Sequence, residues 1–213
     1  MTKLIEVEPS TFEEVVNNQE WKDAMNEEYQ SIMKNGVWEI LPRPKDKFVV
    51  TSKCIYKIKH TIDGSIDKYK ARFVARGFSQ LEGIDYEETF APTARYTTIP
   101  SLVSFVVSMG WNIHQMDLKI AFLNGIIDEV VYIEQPLGFE VKDRKAYVCR
   151  LKKALYGLKQ APRAWYAWMD AYLQRLGFTL IFADPNLYGK AVKGEPVIIL
   201  LYVDDLLLIG MEG

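Results

Sequence analysis

The sequence predicts an α+β fold in which a mainly antiparallel sheet packs against helices on one of its faces. Three observations predict it: two long segments with apolar residues at helical spacing, a pair of strand-like segments joined by a tight turn, and an apolar run over residues 197–209 that two adjacent aspartates interrupt. With 213 residues, of which 49% are hydrophobic, the chain can bury the core of one large or two small domains.

The first predicted element is a long amphipathic helix. Ser10 and Glu13 have the spacing of a capping box, and the helical run ends at Asn35-Gly36. Its apolar residues recur at the helical period and are Trp21, Ala24, Met25, Tyr29 and Ile32. A stripe of this kind packs a helix onto its own domain more often than it binds a ligand.

Strand-like residues follow from position 37 to position 74. After a short segment at residues 38–40, residues 54–59 and 69–74 alternate around a turn at Asp63-Gly64, which predicts a β-hairpin. The hairpin carries the cations Lys57, Lys59, Lys68, Lys70 and Arg72. They could face one polyphosphate, or they could form the polar outer face of an edge hairpin, where lysines also discourage aggregation.

The second half of the chain alternates between helices and strands. Thr97 or Thr98 is predicted to cap a helix that ends near Met109, with Pro100 in its first turn. A second long helix is predicted from Pro162 to a terminating glycine at 177. Strands are predicted at 111–118, 131–134, 147–150, 178–182, 187–190 and 197–209.

Charge is unevenly distributed along the chain. The formal net charge is −2, yet residues 1–41 carry nine acidic and three basic residues, whereas residues 43–76 carry ten basic and three acidic ones. Residues 142–163 add eight basic residues against one acidic residue. Two basic stretches on one face would suit a nucleic-acid backbone, but on charge alone solvated lysines on an ordinary surface are the better explanation.

Other features exclude several classes of protein. Cys54 and Cys149 belong to no CxxC or Cys/His cluster, which argues against a structural zinc site or a disulfide framework. The amino terminus lacks the apolar core of a signal peptide, and the longest apolar run is too short to span a membrane. We therefore expect a soluble intracellular protein with no membrane partner.

Three aspartates are the candidate catalytic residues. Asp204 and Asp205 interrupt the apolar run VIILLYVDDLLLIG, where they could form a simple turn or bind a cation. Asp117 ends a predicted strand in HQMDLKIAFLNG. Magnesium and manganese prefer such oxygen ligands, and two-metal catalysis needs carboxylates that hold two ions about 3.5–4 Å apart. The two segments could supply them.

Five strings in a fixed order resemble the reverse transcriptase region of copia-type long-terminal-repeat retrotransposon Pol polyproteins. They are KARFVARGFSQLEGIDYEETFAP, IHQMDLKIAFLNG, VYIEQPLGFE, LKKALYGLKQAPRAWY and LYVDDLLLIG, and the match extends from about Trp21 to Gly210. The resemblance implies an RNA-directed DNA polymerase whose partners are a template-primer and deoxynucleoside triphosphates. It also implies a longer Pol polyprotein with protease, integrase and ribonuclease H, located in cytoplasmic virus-like particles or in the nucleus.

The same resemblance implies the palm and fingers of a right-hand polymerase. Residues 1–20 would be a lead-in, 21–110 the fingers with some palm elements, and 111–213 the palm, with no thumb or ribonuclease H in this sequence. Four positions depart from the family pattern: Cys54 for tryptophan, Pro100 for arginine, Ile120 for threonine and Val130 for glutamate. We expect a decayed copy or an excised fragment with little processive synthesis. The alternatives are an inactive remnant that binds nucleic acid, and a two-metal nuclease.

By resemblance, Asp117, Asp204 and Asp205 hold two Mg²⁺ or Mn²⁺ ions together with the carbonyl of Leu118. Asp204 would be the main partner of Asp117. Asp205 would be weaker, because side chains adjacent along a strand point to opposite faces. Tyr202 has a supporting role.

The resemblance also assigns residues to the incoming nucleotide. Phe122 resembles the aromatic gate that stacks under the sugar and excludes a 2′-hydroxyl, although it could equally be a core residue. Arginine's planar fork suits phosphate oxygens, and glycine allows close backbone approach. The assigned residues are Lys70, Arg72, Arg76, Phe122, Tyr156, Gly157 and Lys159.

Overall fold

The computed structural model describes residues 8–118, 120–141, 146–203 and 205–211. Over these residues the chain is a mixed α+β protein with three sheets that are mostly antiparallel. It divides into two compact units, the first comprising Met1–Glu87 and Ile126–Ala161 and the second Glu88–Gly125 and Pro162–Gly213. None of the helices described is long and apolar enough to cross a membrane.

The helices and strands have the following bounds. The helices are α1 (Phe12–Val16), α2 (Gln19–Lys34), α3 (Thr98–Met109) and α4 (Ala161–Arg175). The first strands are β1 (Trp38–Pro42), β2 (Val49–Val50), β3 (Ser52–His60), β4 (Ile66–Ala75) and β5 (Asn112–Asp117). The others are β6 (Tyr132–Ile133), β7 (Tyr147–Leu151), β8 (Thr179–Leu180), β9 (Leu187–Val192), β10 (Glu195–Tyr202) and β11 (Asp205–Gly210).

The predicted amphipathic helix is α2, but its amino-terminal cap is not the predicted one. Asn18 caps α2, because its side chain accepts a hydrogen bond from the Trp21 amide at 3.1 Å. A box of the expected type caps the short α1 instead, one residue later than predicted. Thr11 accepts from the Glu14 amide, and the Glu14 carboxylate accepts from the Ser10 amide at 2.8 Å.

The predicted hairpin is confirmed as the antiparallel pair β3–β4. Asp63 stabilises its turn by accepting a hydrogen bond from the Ser65 amide, and Gly64 takes a positive φ of 82°. Alternate residues of β4 are buried, and Ala71 packs with Tyr56 against Trp21 of α2. The opposite face is polar and cationic, as strand alternation requires.

The four-stranded sheet of the first unit has the order β1-β7-β6-β2. Strands β1 and β7 are antiparallel with Trp38 opposite Leu151, whereas β2 runs parallel to β6. The strands β2 and β6 have two residues each, so pairing over a long sequence separation defines them more than any local pattern does.

The second unit is a five-stranded antiparallel sheet in the order β5-β11-β10-β9-β8. The expectation that its helices lie on one face is wrong. Leu201 and Leu206 pack with α4, whereas Leu200 and Ile209 pack with α3. Both faces of β10 and β11 are apolar, so each face needs a helix to remove it from water.

Candidate active site

The hairpin β10–β11 presents the aspartate-containing turn. Tyr202 pairs with Asp205 as the last pair of the ladder, and Leu201 pairs with Leu206 immediately before it. Both leucines are buried, while the exposed fraction rises to 47% at Tyr202 and 59% at Val203. Tyr202 and Val203 are therefore exposed to solvent at the end of a ribbon whose stem is packed on both faces.

Asp117 lies directly opposite Asp205 in the β5–β11 ladder. Residues directly opposite in an antiparallel pair project from the same face, with Cβ atoms about 4.5–5.5 Å apart. Gln115, two residues before Asp117 on that face, donates from Nε2 to Asp205 Oδ1 at 3.3 Å. Asp117 is exposed and Asp205 partly so. Two carboxylates thus share an open, polar strand end, which is an arrangement that can bind a hard cation.

Asp204, the predicted main partner of Asp117, lies outside the described residues, so its rank above Asp205 stays a prediction. Leu118 follows the end of β5, and its half-buried side chain packs on the α4 core. Over the described part of the chain no three histidine, cysteine or carboxylate side chains form a metal-binding group.

Phe122 lies in the 3₁₀ turn Ala121–Asn124 and packs against the α4 core cluster. It also lines a cavity of about 460 Å³ with Trp165, Tyr202, Val203 and Pro92. The gate role of Phe122 stays a prediction, and its half-buried side chain has the packing contacts of a core phenylalanine.

The predicted phosphate-binding cations lie in the first unit. Lys70 and Arg72 share the outer face of β4, and Arg76 follows the strand. Lys70 and Arg76 are exposed, whereas Arg72 is half-buried with its guanidinium 4.1 Å from the centre of the Tyr156 ring. Arginine and tyrosine form a cation–π contact at this distance. The structure therefore brings Arg72 and Tyr156 together.

Lys159 is not a free cation of the loop. Its Nζ donates to the Tyr86 hydroxyl at 2.9 Å and lies 4.6 Å from the centre of the same ring. The loop that carries Lys159 is also fixed by glutamines that the sequence did not single out. Gln80 Oε1 accepts from the Lys159 amide, and Gln80 Nε2 donates to Gln160 Oε1 at 3.0 Å.

Gly157 allows backbone to meet backbone at the end of β4. A Cβ atom there would lie 2.1 Å from the Ala75 carbonyl oxygen, and the residue has a φ of +89°. The Ala75 amide donates to the Tyr156 carbonyl at 2.8 Å. Gly77 approaches from the other side, since its Cβ would lie 2.0 Å from the Gly157 oxygen. Only glycine fits at this crossing.

Sequence comparisons show which protein family and which proteins this chain is similar to. A family model described as reverse transcriptase (RNA-dependent DNA polymerase) matches residues 35–213. The retrovirus-related Pol polyprotein from transposon TNT 1-94 of Nicotiana tabacum is 40% identical over 209 residues, which are 96% of this chain and 16% of that protein. The corresponding polyprotein from transposon RE1 of Arabidopsis thaliana is 41% identical over 97% of this chain and 14% of its own length.

A more distant relative covers almost as much of the chain. The transposon Ty1-DR4 Gag-Pol polyprotein of Saccharomyces cerevisiae is 29% identical over 201 residues, which are 92% of this chain and 12% of that protein. The chain therefore spans only 12 to 16% of the length of these curated relatives.

Proposed function

Because the chain belongs to the reverse transcriptase (RNA-dependent DNA polymerase) family, we propose that it is the polymerase core of a retrotransposon Pol protein. The reaction would add deoxynucleotides to the 3′-hydroxyl of a primer that is paired with an RNA or DNA template. The observation that carries the proposal is the pairing of Asp117 with Asp205 at the exposed end of an apolar hairpin.

Asp117, Asp204, Asp205 and the carbonyl of Leu118 would hold two Mg²⁺ or Mn²⁺ ions. The donor set fits these cations, because each ligand is a carboxylate or carbonyl oxygen. When bound, the ions would favour ionisation of the primer hydroxyl and neutralise charge that develops on the phosphates. The contribution of the chain is rigidity, since Leu201 and Leu206 fix the stem on which the carboxylates stand.

The remaining assignments concern the incoming nucleotide. Lys70, Arg72 and Arg76 would bind its triphosphate, and Phe122 would exclude a 2′-hydroxyl. Support comes from the outer face of β4, where Lys70 is exposed and Arg72 is held at a fixed orientation by the Tyr156 ring. Gly157 would keep the Tyr156 loop against β4, and the hydrogen bond from Lys159 to Tyr86 would help to fix the same loop. Tyr202 would support the turn.

Single-nucleotide incorporation tests the proposal without requiring processive synthesis. The purified 213-residue chain is incubated with a labelled primer on an RNA template, one complementary deoxynucleotide and Mg²⁺ or Mn²⁺. We expect Asp117→Asn to lower the incorporation rate by about a thousandfold or more, because metal-ion catalysis supplies several kcal/mol. Asp46→Asn, which changes an exposed carboxylate outside the site, is the matched control and should leave the rate unchanged.

Incorporation that is equally fast in Asp117→Asn and wild type would refute the carboxylate assignment. Degradation of the primer or template without incorporation would favour a two-metal nuclease instead. Both results are read on the same denaturing gel, so one experiment separates them.

A second candidate function is nucleic-acid binding without turnover, and the cationic outer face of β3–β4 favours it. Lys53 and Lys57 lie on this face of β3, with Lys70 opposite Lys57 on β4. Binding through such a face should weaken steeply as salt increases, because phosphate contacts release counterions. Filter binding that is salt-sensitive, unaffected by Asp117→Asn and accompanied by no incorporation would establish this function.

A further inference from the structure

Two β-branched residues with left-handed backbone flank the proposed catalytic carboxylates. Ile120 follows Asp117 by three residues and has a φ of 57°, and Val203 precedes Asp204 with a φ of 53°. This conformation costs about 1–2 kcal/mol for an L-residue, and β-branched side chains rarely adopt it. It persists only where surrounding contacts over-determine it, and such residues concentrate at functional sites.

One such contact is a hydrogen bond from α4. Trp165 donates from its indole Nε1 to the carbonyl oxygen of Val203 at 3.1 Å. Val203 lies beyond the last ladder pair, Tyr202 with Asp205, so this carbonyl has no place in the β10–β11 ladder. The indole is rigidly placed: Trp165 is 4% exposed, and its ring stacks on that of Trp168 at a centroid distance of 5.4 Å.

The same point of α4 also meets the segment that follows Asp117. A Cβ atom on Gly125 would lie 2.7 Å from the backbone of Ala164 and of Trp165, so this segment packs directly on the helix backbone. Ala121, at the start of the 3₁₀ turn after Ile120, is fully buried in one cluster with Trp165. Both carboxylate-bearing segments are thus fixed against the first turns of α4.

We propose that Trp165 is a positioning residue of the active site, whose indole N–H holds the Val203 turn in its left-handed conformation. The inference rests on the proposed function, because the turn leads directly into Asp204 and Asp205. Without the donor, the Val203 carbonyl would turn to water and its φ would relax to negative values. The peptide unit that leads into the carboxylates would then rotate, and metal binding would weaken.

The test compares two tryptophans of the second unit. Trp165→Phe removes the N–H and keeps an aromatic ring, and Trp111→Phe makes the same chemical change in the cluster around α3, on the other face of the sheet. We expect Trp165→Phe to weaken Mn²⁺ binding, measured by calorimetry, by about 3- to 10-fold, which corresponds to one hydrogen bond. Trp111→Phe should leave this affinity within about twofold of wild type, because it alters packing around α3 and not the turn.

Two spectroscopic measurements need no metal. In ¹⁵N spectra the Trp165 indole proton should exchange slowly with solvent, and Trp165→Phe should shift the amide resonances of Val203 and Asp205. Trp111→Phe should leave both amides in place. An indole proton that exchanges freely, or amide shifts of equal size in the two variants, would overturn the proposal.

A second variant distinguishes the loss of this hydrogen bond from a general folding defect. Val203→Gly removes the strain, because glycine adopts positive φ without penalty, so the turn no longer needs the indole. In the Val203→Gly background, Trp165→Phe should change Mn²⁺ affinity by less than about twofold, since the coupling between the two residues is gone. An undiminished loss in that background would show that Trp165 acts through packing.

Failure of the proposed function can be distinguished from failure of this inference. If Asp117→Asn binds Mn²⁺ as tightly as wild type, the metal site is not where we propose it. The indole exchange and the amide shifts would still decide whether Trp165 holds the Val203 turn.

Discussion

In the first unit the loop around Gly157 meets β4 backbone to backbone, whereas in the second unit the turn at Val203 is held by the indole of a buried tryptophan. The first arrangement requires a residue without a side chain. The second retains a β-branched residue in a conformation that glycine would adopt more easily. The close backbone approach thus depends on having glycine at the crossing itself. The strained turn depends on the residues that pack around it.

The two units also differ in how their buried polar groups are satisfied. In the first unit Gln80 and Gln160 bond to each other and to the loop backbone, and the buried Asp85 carboxylate next to them accepts from the Leu81 amide. In the second unit the Asp184 carboxylate is 1% exposed and accepts three hydrogen bonds. A buried carboxylate needs its donors in place, so Asp184 depends on all three of them.

The largest effect is expected at the backbone crossing. Gly157→Ala places a methyl group 2.1 Å from the Ala75 oxygen and 2.5 Å from a Val74 methyl, at a φ of +89°. The clash and the left-handed backbone together should lower the free energy of unfolding by about 3–5 kcal/mol. Urea unfolding measures the loss, and hydrogen exchange of peptides from β3–β4 should show that it lies in the first unit.

Gly64→Ala is the matched control for this prediction. Gly64 has a similar φ of +82°, but a Cβ atom there would meet nothing within 4 Å. Only the backbone penalty of about 1–2 kcal/mol should remain. Equal losses in the two variants would mean that the crossing tolerates a side chain, and the contrast between the two units would then disappear.

The next largest effect is expected at Asp184. Its carboxylate accepts from the Arg95 and Asn186 amides, each at 2.8 Å, and from the Thr98 hydroxyl at the start of α3. Asp184→Asn replaces one carboxylate oxygen, which is an acceptor, by an NH₂ group. This group is a donor and would face the donors that Asp184 now binds. The free energy of unfolding should fall by about 2–3 kcal/mol, as for hydrogen bonds to a charged group. Asp128→Asn, at an exposed carboxylate, should change it by less than about 0.5 kcal/mol.

The pH dependence provides a separate check on Asp184. Burial alone would raise its pKa, but the hydrogen bonds from Thr98 and from the Asn186 and Arg95 amides lower it below the ordinary value of 3.8. The stabilisation is therefore present above pH 3.8 and is lost as pH falls through the lower pKa of the folded state. The free-energy difference between wild type and Asp184→Asn should shrink over that range. A constant difference would contradict the charged hydrogen-bond network.

Local patterns predicted the elements that are long and regular. The apolar stripe predicted α2, Asp63-Gly64 predicted the β3–β4 hairpin, and the split apolar run predicted β10–β11. The strand at 131–134 was predicted and contains β6, whereas the two-residue strand β2 was not, because it carries no period and only a partner far along the chain defines it. The cap of α1 was displaced by one residue because Ser10 and Thr11 offer the same chemistry.

The sequence indicated the carboxylates of the candidate site but not the contacts that support them. Asp117 stood out as a carboxylate at the end of a strand, and the ladder places it opposite Asp205. Trp165 was not singled out, because its apolar spacing along α4 is all that the sequence displays. Its bond to Val203, 38 residues later, depends on how α4 packs on the sheet. Tertiary contacts of this range leave no local signal.

The smallest effect concerns Glu28, a half-buried carboxylate of the first unit. Burial raises the pKa of Glu28 above the ordinary value of 4.5, although the Phe73 amide, Arg72 and Lys70 each lower it. A raised pKa means that the folded state favours the protonated form. Stability from this group is then full below pH 4.5 and is lost as pH rises through the folded pKa.

Glu28→Gln keeps an acceptor for the Phe73 amide, which Glu28 Oε1 binds at 3.1 Å, and removes the charge. At neutral pH the variant should be more stable than wild type by less than about 1 kcal/mol, and the advantage should vanish near pH 4. Urea unfolding at several pH values measures it. A variant that is less stable at neutral pH would mean that Arg72 and Lys70 favour the charged form more than burial opposes it.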